Sequence, residues 1–385
     1  MELQQIQTVM AQANELLKEA QYDEALDLLN TLDTDTELGG LLCYMKGCAY
    51  LQLEQDEQAH LSFGAALEKG FVRKELYINF GIVKSRMGNV LQAEQMFRQA
   101  ADLDPVDALP LNRIILLRLG RGEFAGAETV MDELMHRNPE LVDGYHHKAD
   151  LLLGTGRAAE AVELLEMVEP RFTANSLFVY DYCRALGRAG RAEDAVAYLQ
   201  THMAAFREPS DLLLLKKQSA VLLVQLKRPE AAVPLWQELY DLYGDRQAGM
   251  ALAADAIGRG DMETLYRIAE EMTAAEVGDD SHYMCLFYKA IAQKHLGNQE
   301  EERAALLAAA EQFDQLGDDR QGIQFRSVRA TIRAELGRYE DALSDVTDLI
   351  DLARRSTEDA EKVEAMIKDL SEMKADIEQR MNTFS

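Results

Sequence analysis

The fold is decided by residues 74–105, KELYINFGIVKSRMGNVLQAEQMFRQAADLDP. Apolar residues recur in this stretch every three or four positions, which is the spacing of a helix and not the alternation of a strand. Phe80 and Gly81 lie on one side of a first helix. Gly88 lies where the chain turns, and Pro105 ends a second helix because proline cannot continue one. We therefore predict two antiparallel helices, with Gly88 in the left-handed conformation at the turn.

The same pattern recurs along the chain with a period of 34 residues. Glycines that are followed five residues later by an alanine repeat at this interval without an insertion, and stepping back reaches two further alanines. A small side chain lets two antiparallel helices approach closely, so each alanine marks a helix pair. Six regular pairs are therefore predicted over residues 1–207. The glycines are Gly88, Gly122, Gly156 and Gly190, and the alanines are Ala25, Ala59, Ala93, Ala127, Ala161 and Ala195.

Four less regular helix pairs are predicted over residues 208–355, where the spacing loosens. In the eighth pair a leucine stands where the alanine is expected. Longer connections are predicted at 206–211, 277–282 and 317–322, and each is either a hinge or a lengthened loop in a continuous array. The markers of the four pairs are Ala232 with Trp236, Gly260 with Leu265, Gly297 with Ala290, and Gly337 with Tyr339 and Ala342.

The last segment, residues 356–385, is predicted to be one long amphipathic helix that follows Ser356 as N-cap. Its apolar residues recur at steps of three and four. A repeat array exposes its last apolar face unless something covers it, so a capping helix is the first interpretation. The alternative is a short coiled-coil seam through which two copies associate. The apolar residues are Val363, Met366, Leu370, Met373 and Ile377.

These repeats resemble the tetratricopeptide repeat family, whose unit is a helix–turn–helix of 34 residues. The resemblance implies an all-α, right-handed superhelical solenoid of about ten repeats with a C-terminal capping helix. It also implies a protein-interaction scaffold that binds a peptide or partner helix in a concave groove lined by the first helices. The matching residues include Gly47, Tyr50, Ala59, Phe63 and Ala66 in the second repeat, Gly81, Gly88, Ala93, Phe97, Ala100 and Pro105 in the third, and Gly122, Phe124, Ala127 and Pro139 in the fourth.

Composition restricts the classes of partner. The chain has 67 acidic and 40 basic residues and a formal charge of −27, which disfavours nucleic acid and anionic membrane surfaces as partners. No run of about 18 apolar residues occurs, so no membrane-spanning helix is predicted. The four cysteines form no CxxC motif, and reduced thiols in a cytoplasmic protein are the expectation. They are Cys43, Cys48, Cys183 and Cys285.

The sequence carries no catalytic motif, and we expect neither an enzyme nor a cofactor. His146 and Asp150 lie one helical turn apart, the spacing of two metal ligands. Two ligands make a poor site, and a hydrogen-bonded pair is the commoner outcome, so no metal site is predicted. An enzyme therefore remains only a remote alternative to the scaffold.

The groove implied by the resemblance is lined by a polar, aromatic and partly basic strip on the first helices. Arginine and tyrosine are common anchors of interfaces, and asparagine can pair with a peptide backbone. Residues 171–240 hold 7 acidic and 9 basic residues, which favours a negative peptide there. An alternative function is a peptide-sensing regulator whose superhelix changes shape on ligand binding. The predicted groove residues are Tyr44, Asn79, Asn112, Arg113, His146, His147, Asp150, Tyr180, Asp181, Arg184 and Lys217.

Overall fold

A computed structural model describes residues 3–274, 282–315, 323–355 and 360–384. Within these ranges the regular elements are α-helices and one short 3₁₀ turn, and no strand occurs. The chain divides into two compact units, residues 1–211 and 212–385. The helix pairs that the sequence predicts are present in both units, which confirms the all-α fold class.

The first unit consists of six antiparallel helix pairs whose turns depend on left-handed residues. Gly88 has φ of +79° at its turn, and the glycines 34, 68 and 102 residues further on adopt the same conformation. In the first two pairs the equivalent positions are Ala20 and Glu54, with φ of 60° and 59°. The turn is thus kept without glycine there. The helices are α1 Leu3–Lys18, α2 Tyr22–Asn30, α3 Gly39–Gln52, α4 Asp56–Glu68, α5 Lys74–Arg86, α6 Val90–Leu103, α7 Leu109–Gly120, α8 Phe124–Arg137, α9 Val142–Gly154, α10 Ala158–Phe172, α11 Ser176–Arg188 and α12 Ala192–His202, and the 3₁₀ turn is Met203–Ala205.

Close packing within a pair depends on the absence of a side chain at one point. A Cβ atom on Gly81 would lie 2.6 Å from the Phe97 ring, and one on Gly47 would lie 2.5 Å from the Phe63 ring. Each phenylalanine therefore fills the space that the facing glycine leaves. Ala93, like the equivalent alanine of every other pair in this unit, is fully buried. Each second helix is thereby fixed against its first helix, and the opposite side of the first helix is left for other contacts.

The second unit keeps the helix pairs with different residues at the critical points. Lys227 replaces glycine at one turn with φ of 57°, whereas Gly260 and Gly337 have φ of 71° and 77°. Leu265, at an expected alanine position, is fully buried in one cluster with Trp236. The helices, the first of which begins in the last residues of the first unit, are α13 Pro209–Gln225, α14 Pro229–Tyr243, α15 Arg246–Arg259, α16 Met262–Ala274, α17 His282–Leu296, α18 Gln299–Gln315, α19 Ile323–Glu335, α20 Tyr339–Arg354 and α21 Ala360–Phe384.

Helix α21 covers the tenth helix pair. Leu370 and Ile377 are buried in one cluster with α20 residues, and Met366 and Met373 pack against that cluster. The apolar face that the sequence analysis assigned either to a cap or to a coiled coil is therefore used within the chain. The N-cap prediction at Ser356 and the loops predicted at 277–282 and 317–322 lie outside the described residues, apart from the first residue of α17.

Candidate functional site

Polar side chains from adjacent repeats link three pairs of first helices in the first unit, namely α3 with α5, α7 with α9 and α9 with α11. We call the surface formed by these residues on α3, α5, α7, α9 and α11 the first-helix face. The partners of each link lie between 31 and 35 residues apart, about one repeat. Most of the groove residues predicted from sequence take part in these links. They are Tyr44 with Asn79, Asn112 with Asp143, His146 with Asp181, and Asp150 with Arg184.

The link between α3 and α5 is aromatic and neutral. The amide of Asn79 donates to Tyr44 Oη at 3.4 Å and lies 3.6 Å from Cys48 Sγ. The Tyr44 ring stacks on Phe71, with 5.0 Å between ring centroids. Burial raises the pKa of the Tyr44 hydroxyl and of the Cys48 thiol above their ordinary values. A thiolate is the reactive form of cysteine, so Cys48 is a poor nucleophile at neutral pH.

The link between α9 and α11 is built on a buried carboxylate. The Asp181 side chain is 1% exposed, so its predicted place on the accessible strip is wrong. His146 Nδ1 donates to Asp181 Oδ2 at 2.7 Å, and Arg184 Nη2 donates to Asp181 Oδ1 at 3.2 Å. Arg184 also pairs with Asp150. A buried charge needs partners, and His146 and Arg184 are the partners of Asp181. Asp181 therefore contributes to the face only through these two side chains.

The two adjacent histidines of α9 have opposite electrostatic environments. The hydrogen bond to Asp181 raises the pKa of His146 above the ordinary histidine value. Burial lowers the pKa of His147, whose ring lies 5.5 Å from the His146 ring. Burial disfavours the charged form of a carboxyl as well, so it raises the pKa of Asp181, although the hydrogen bond from His146 opposes this shift. Both rings gain a proton as pH falls, but His146 does so at a higher pH than His147.

Tyr180 and Arg184 form a stacked pair on α11. The Arg184 guanidinium lies 5.2 Å from the centroid of the half-buried Tyr180 ring. A guanidinium over an aromatic face is attracted by the ring quadrupole. Arg184 is thus held by the ring as well as by two carboxylates.

Helix α7 differs from its neighbours because most of its face is open. Asn112 Nδ2 donates to Asp143 Oδ2 at 3.2 Å, but Arg113 is exposed and makes no ion pair within the described part of the chain. Leu109 and Leu116, which the sequence analysis did not select, are 42% and 52% exposed. Their spacing to Arg113 places all three on one side of the helix. The sequence could have indicated that Leu109 and Leu116 are exposed, because Leu111, Ile114 and Ile115 already supply the buried side of α7.

The predicted basic strip is largely neutralised. Lys217 belongs to the second unit, where its Nζ lies 2.7 Å from Asp245 Oδ2. Arg184 is paired with two carboxylates. An acidic peptide would therefore find fewer available cations than the sequence suggests, and Arg113 is the cation of this strip that keeps no carboxylate partner among the described residues.

The described ranges contain no candidate metal site, no disulfide and no candidate membrane-spanning helix. No group of three or more His, Cys, Asp or Glu side chains there could hold a metal ion. The four cysteines form no disulfide, and Cys183 is buried against the Ala195 carbonyl at 3.6 Å. Across the same ranges, no helix combines the length and the apolar character needed to cross a bilayer.

Comparison with known proteins identifies the repeat. A family model described as the tetratricopeptide repeat matches residues 74–107. No curated protein matches the sequence of this chain. Among solved structures, the chain is similar to the C-terminal part of a TPR repeat-containing protein from Cytophaga hutchinsonii, with a TM-score of 0.50 and 14% identity over 63% of this chain and 99% of that chain. The likeness is one of fold, and it agrees with the repeat architecture predicted from the sequence.

Two further solved structures are less similar. The APC/C hetero-tetramer Cut9–Hcn1 gives a TM-score of 0.46 and 13% identity over 94% of this chain and 83% of that chain. YrrB, described as a TPR protein with an unusual peptide-binding site, gives a TM-score of 0.37 and 16% identity over 50% of this chain and 97% of that chain.

Proposed function

We propose that this chain, whose residues 74–107 match the tetratricopeptide repeat, is a protein-interaction scaffold that docks a peptide or partner helix on the first-helix face of residues 1–211. The observation that carries this proposal is the set of links between adjacent first helices. They hold half-buried imidazole, phenol and amide groups in fixed positions on one surface. A surface ordered before binding loses less side-chain entropy when a partner docks.

The chemistry of the same face supports binding and not catalysis. The thiol and phenol of Cys48 and Tyr44 have raised pKa values, so neither is activated as a nucleophile. The imidazole of His146 is engaged by Asp181 and forms part of an interhelix link. We therefore assign no catalytic residue and no cofactor to this face.

The experiment is affinity capture by the full chain, followed by mass spectrometry. The test variant replaces Arg113, His147 and Tyr180 with alanine, because none of the three bridges adjacent first helices as Arg184 does. The control variant replaces Leu61 and Leu91, exposed leucines on the second helices α4 and α6, with alanine. We expect a partner that the wild type and the control retain and that the test variant loses at least tenfold. Equal capture by all three proteins, with unchanged helical circular dichroism, would move the docking surface away from this face.

The location and the assembly state are further parts of the proposal. Four cysteines without a disulfide are typical of a reducing compartment, which supports the cytoplasm. The apolar residues Leu370 and Ile377 already pack against α20, so we propose that copies do not associate through α21. Light scattering should give the monomer mass, and a dimer that disappears when Lys362 and the other exposed residues of α21 are changed would contradict this. A change of hydrodynamic radius on adding the captured partner would indicate the peptide-sensing alternative.

A further inference from the structure

Helix α7 carries an open stripe at the centre of the first-helix face. We define the α7 stripe as Leu109, Arg113 and Leu116. The two leucines are 42% and 52% exposed and the arginine is exposed. Large apolar side chains so exposed on a linked, ordered face are a feature of interaction sites when they lie together. Positions i, i+4 and i+7 of one helix do lie together, on a single side.

The charge of the stripe is not balanced within the described residues. The nearby arginines Arg118 and Arg121 pair with glutamates, whereas Arg113 has no such partner there. On the neighbouring first helix α9, Asp143 accepts a hydrogen bond from Asn112 and Asp150 pairs with Arg184, and the ion pairs found among the described residues join neither carboxylate to Arg113. The stripe therefore presents one available cation between two apolar side chains.

The spacing of the two leucines favours a helical partner. Residues seven apart on a helix are separated by about 10.5 Å along its axis, because each residue advances the helix by 1.5 Å. A partner helix that lies along α7 repeats this distance with its own residues i and i+7. Side chains on one side of a strand are separated by about 6.7 or 13.4 Å, so an extended peptide matches the spacing of the two leucines less well than a helix does.

These observations, which rest on the proposed function, define the partner by its chemistry. We propose that the α7 stripe docks an amphipathic helix of another protein, in which apolar residues seven positions apart flank an aspartate or glutamate. The apolar residues pack on Leu109 and Leu116, and the carboxylate pairs with Arg113. A second copy of this chain is a poor occupant, because each copy has a formal charge of −27 and two copies repel one another.

The probe is a displayed library of helical peptides of about 18 residues, selected on the full chain. We expect enrichment of sequences in which an acidic residue lies three or four positions from each of two large apolar residues. Selection on the Arg113→Glu variant should replace the acidic residue by lysine or arginine. The matched charge control is Lys362→Glu on α21, where the lysine is exposed, and this variant should select the same peptides as the wild type.

A peptide from the wild-type selection then allows a charge-reversal cycle. Arg113→Glu should weaken its binding at least about tenfold, and a peptide whose acid is changed to lysine should recover binding to Arg113→Glu. Leu109→Ser or Leu116→Ser should each cost about tenfold, whereas Leu61→Ser, on an exposed second-helix leucine, should cost less than twofold. Unchanged melting temperatures will show that all variants are folded.

Two results would overturn the inference. One is enrichment of no sequence, or of sequences without the acidic residue. Another is binding that Arg113→Glu leaves unchanged. If binding is insensitive to the α7 stripe but is lost in His147→Ala or Tyr180→Ala, the inference fails and the proposed function stands. If no substitution on the first-helix face changes binding, both fail.

Discussion

Two parts of the first-helix face, α7 and the α9–α11 pair, use similar residues in different ways. On α9 and α11 the polar side chains meet across one repeat, so that His146 and Arg184 both donate to Asp181. On α7 the arginine and two leucines remain open. Residue type alone selects the polar residues of both parts as binding surface. The partners of each side chain show that one part supports the face and the other is available to a ligand.

The largest expected effect is the loss of the buried carboxylate in Asp181→Ala. His146 and Arg184 then lose the buried carboxylate to which both donate, which should destabilise this part of the unit by roughly 2–3 kcal/mol. Because repeats are coupled mainly to their neighbours, amide hydrogen exchange should accelerate in α9 and α11 and stay near wild-type rates in α3. Unchanged exchange in α9 would show that the link contributes nothing to stability.

A smaller effect is expected for Arg184→Ala. Asp181 keeps the hydrogen bond from His146 but loses that from Arg184, so we expect a loss of about 1–2 kcal/mol. The matched control is Arg113→Ala, which removes an arginine from an equivalent face without breaking an ion pair among the described residues and should stay within about 0.5 kcal/mol. Denaturant unfolding of both variants measures the difference. Equal losses would remove the distinction between the supporting and the open part.

The pH dependence of stability should differ between the two histidines. The raised pKa of His146 adds stability that is complete below the unfolded-state pKa and is lost as pH rises through the folded-state pKa. The lowered pKa of His147 has the opposite effect, since its contribution is present above the unfolded-state pKa and is lost as pH falls. Charged groups around them include Asp143, Asp150 and Arg184.

Two variants separate these contributions. Measured against the double variant that carries both His146→Gln and His147→Gln, the free energy of unfolding of His147→Gln should decline as pH rises from about 6 to 8, and that of His146→Gln should increase from about pH 5 to 7. The slopes are the measurement, because either substitution also changes stability at every pH. Slopes of the same sign in both variants would contradict the assigned environments.

The smallest effect is expected for the α7 stripe itself. Leu109→Ser combined with Leu116→Ser removes side chains that are about half exposed, so the free energy of unfolding should change by less than about 1 kcal/mol. As a core reference, Ala93→Leu adds volume to a fully buried site and should cost about 1–3 kcal/mol. Comparable losses from both changes would show that the stripe is part of the core.

The sequence predicts the helix pairs well because one spacing controls them. Gly81 must lie close to the Phe97 ring, and Gly88 must adopt a left-handed conformation at the turn. Each requirement favours glycine at a fixed position of the repeat. The turns at Ala20 and Glu54 escape prediction, since an exposed residue with a side chain adopts the left-handed conformation there, and backbone hydrogen bonds from Gln21 N to Leu16 O and from Gln55 N to Tyr50 O close the two turns.

The face is predicted less well for a physical reason. The spacing of residues in the sequence predicts the side of the helix on which a residue lies, but not the side chain that it contacts on the neighbouring helix. Asp181 therefore looks accessible in the sequence and is buried by His146 and Arg184. Leu109 and Leu116 look like core residues, although the core side of α7 is already occupied.

The central claim, that a partner docks on the first-helix face, is tested most directly by site-specific photo-crosslinking. A photoreactive phenylalanine analogue is placed in the full chain at Leu116 on α7 or, in a separate protein, at Leu61 on α4, which is 71% exposed. Both positions accept a large apolar side chain, so they differ chiefly in the surface on which they lie. The account predicts a crosslinked partner from position 116 that is absent from position 61 and disappears with Arg113→Glu. A partner crosslinked from position 61 and not from position 116 would contradict it.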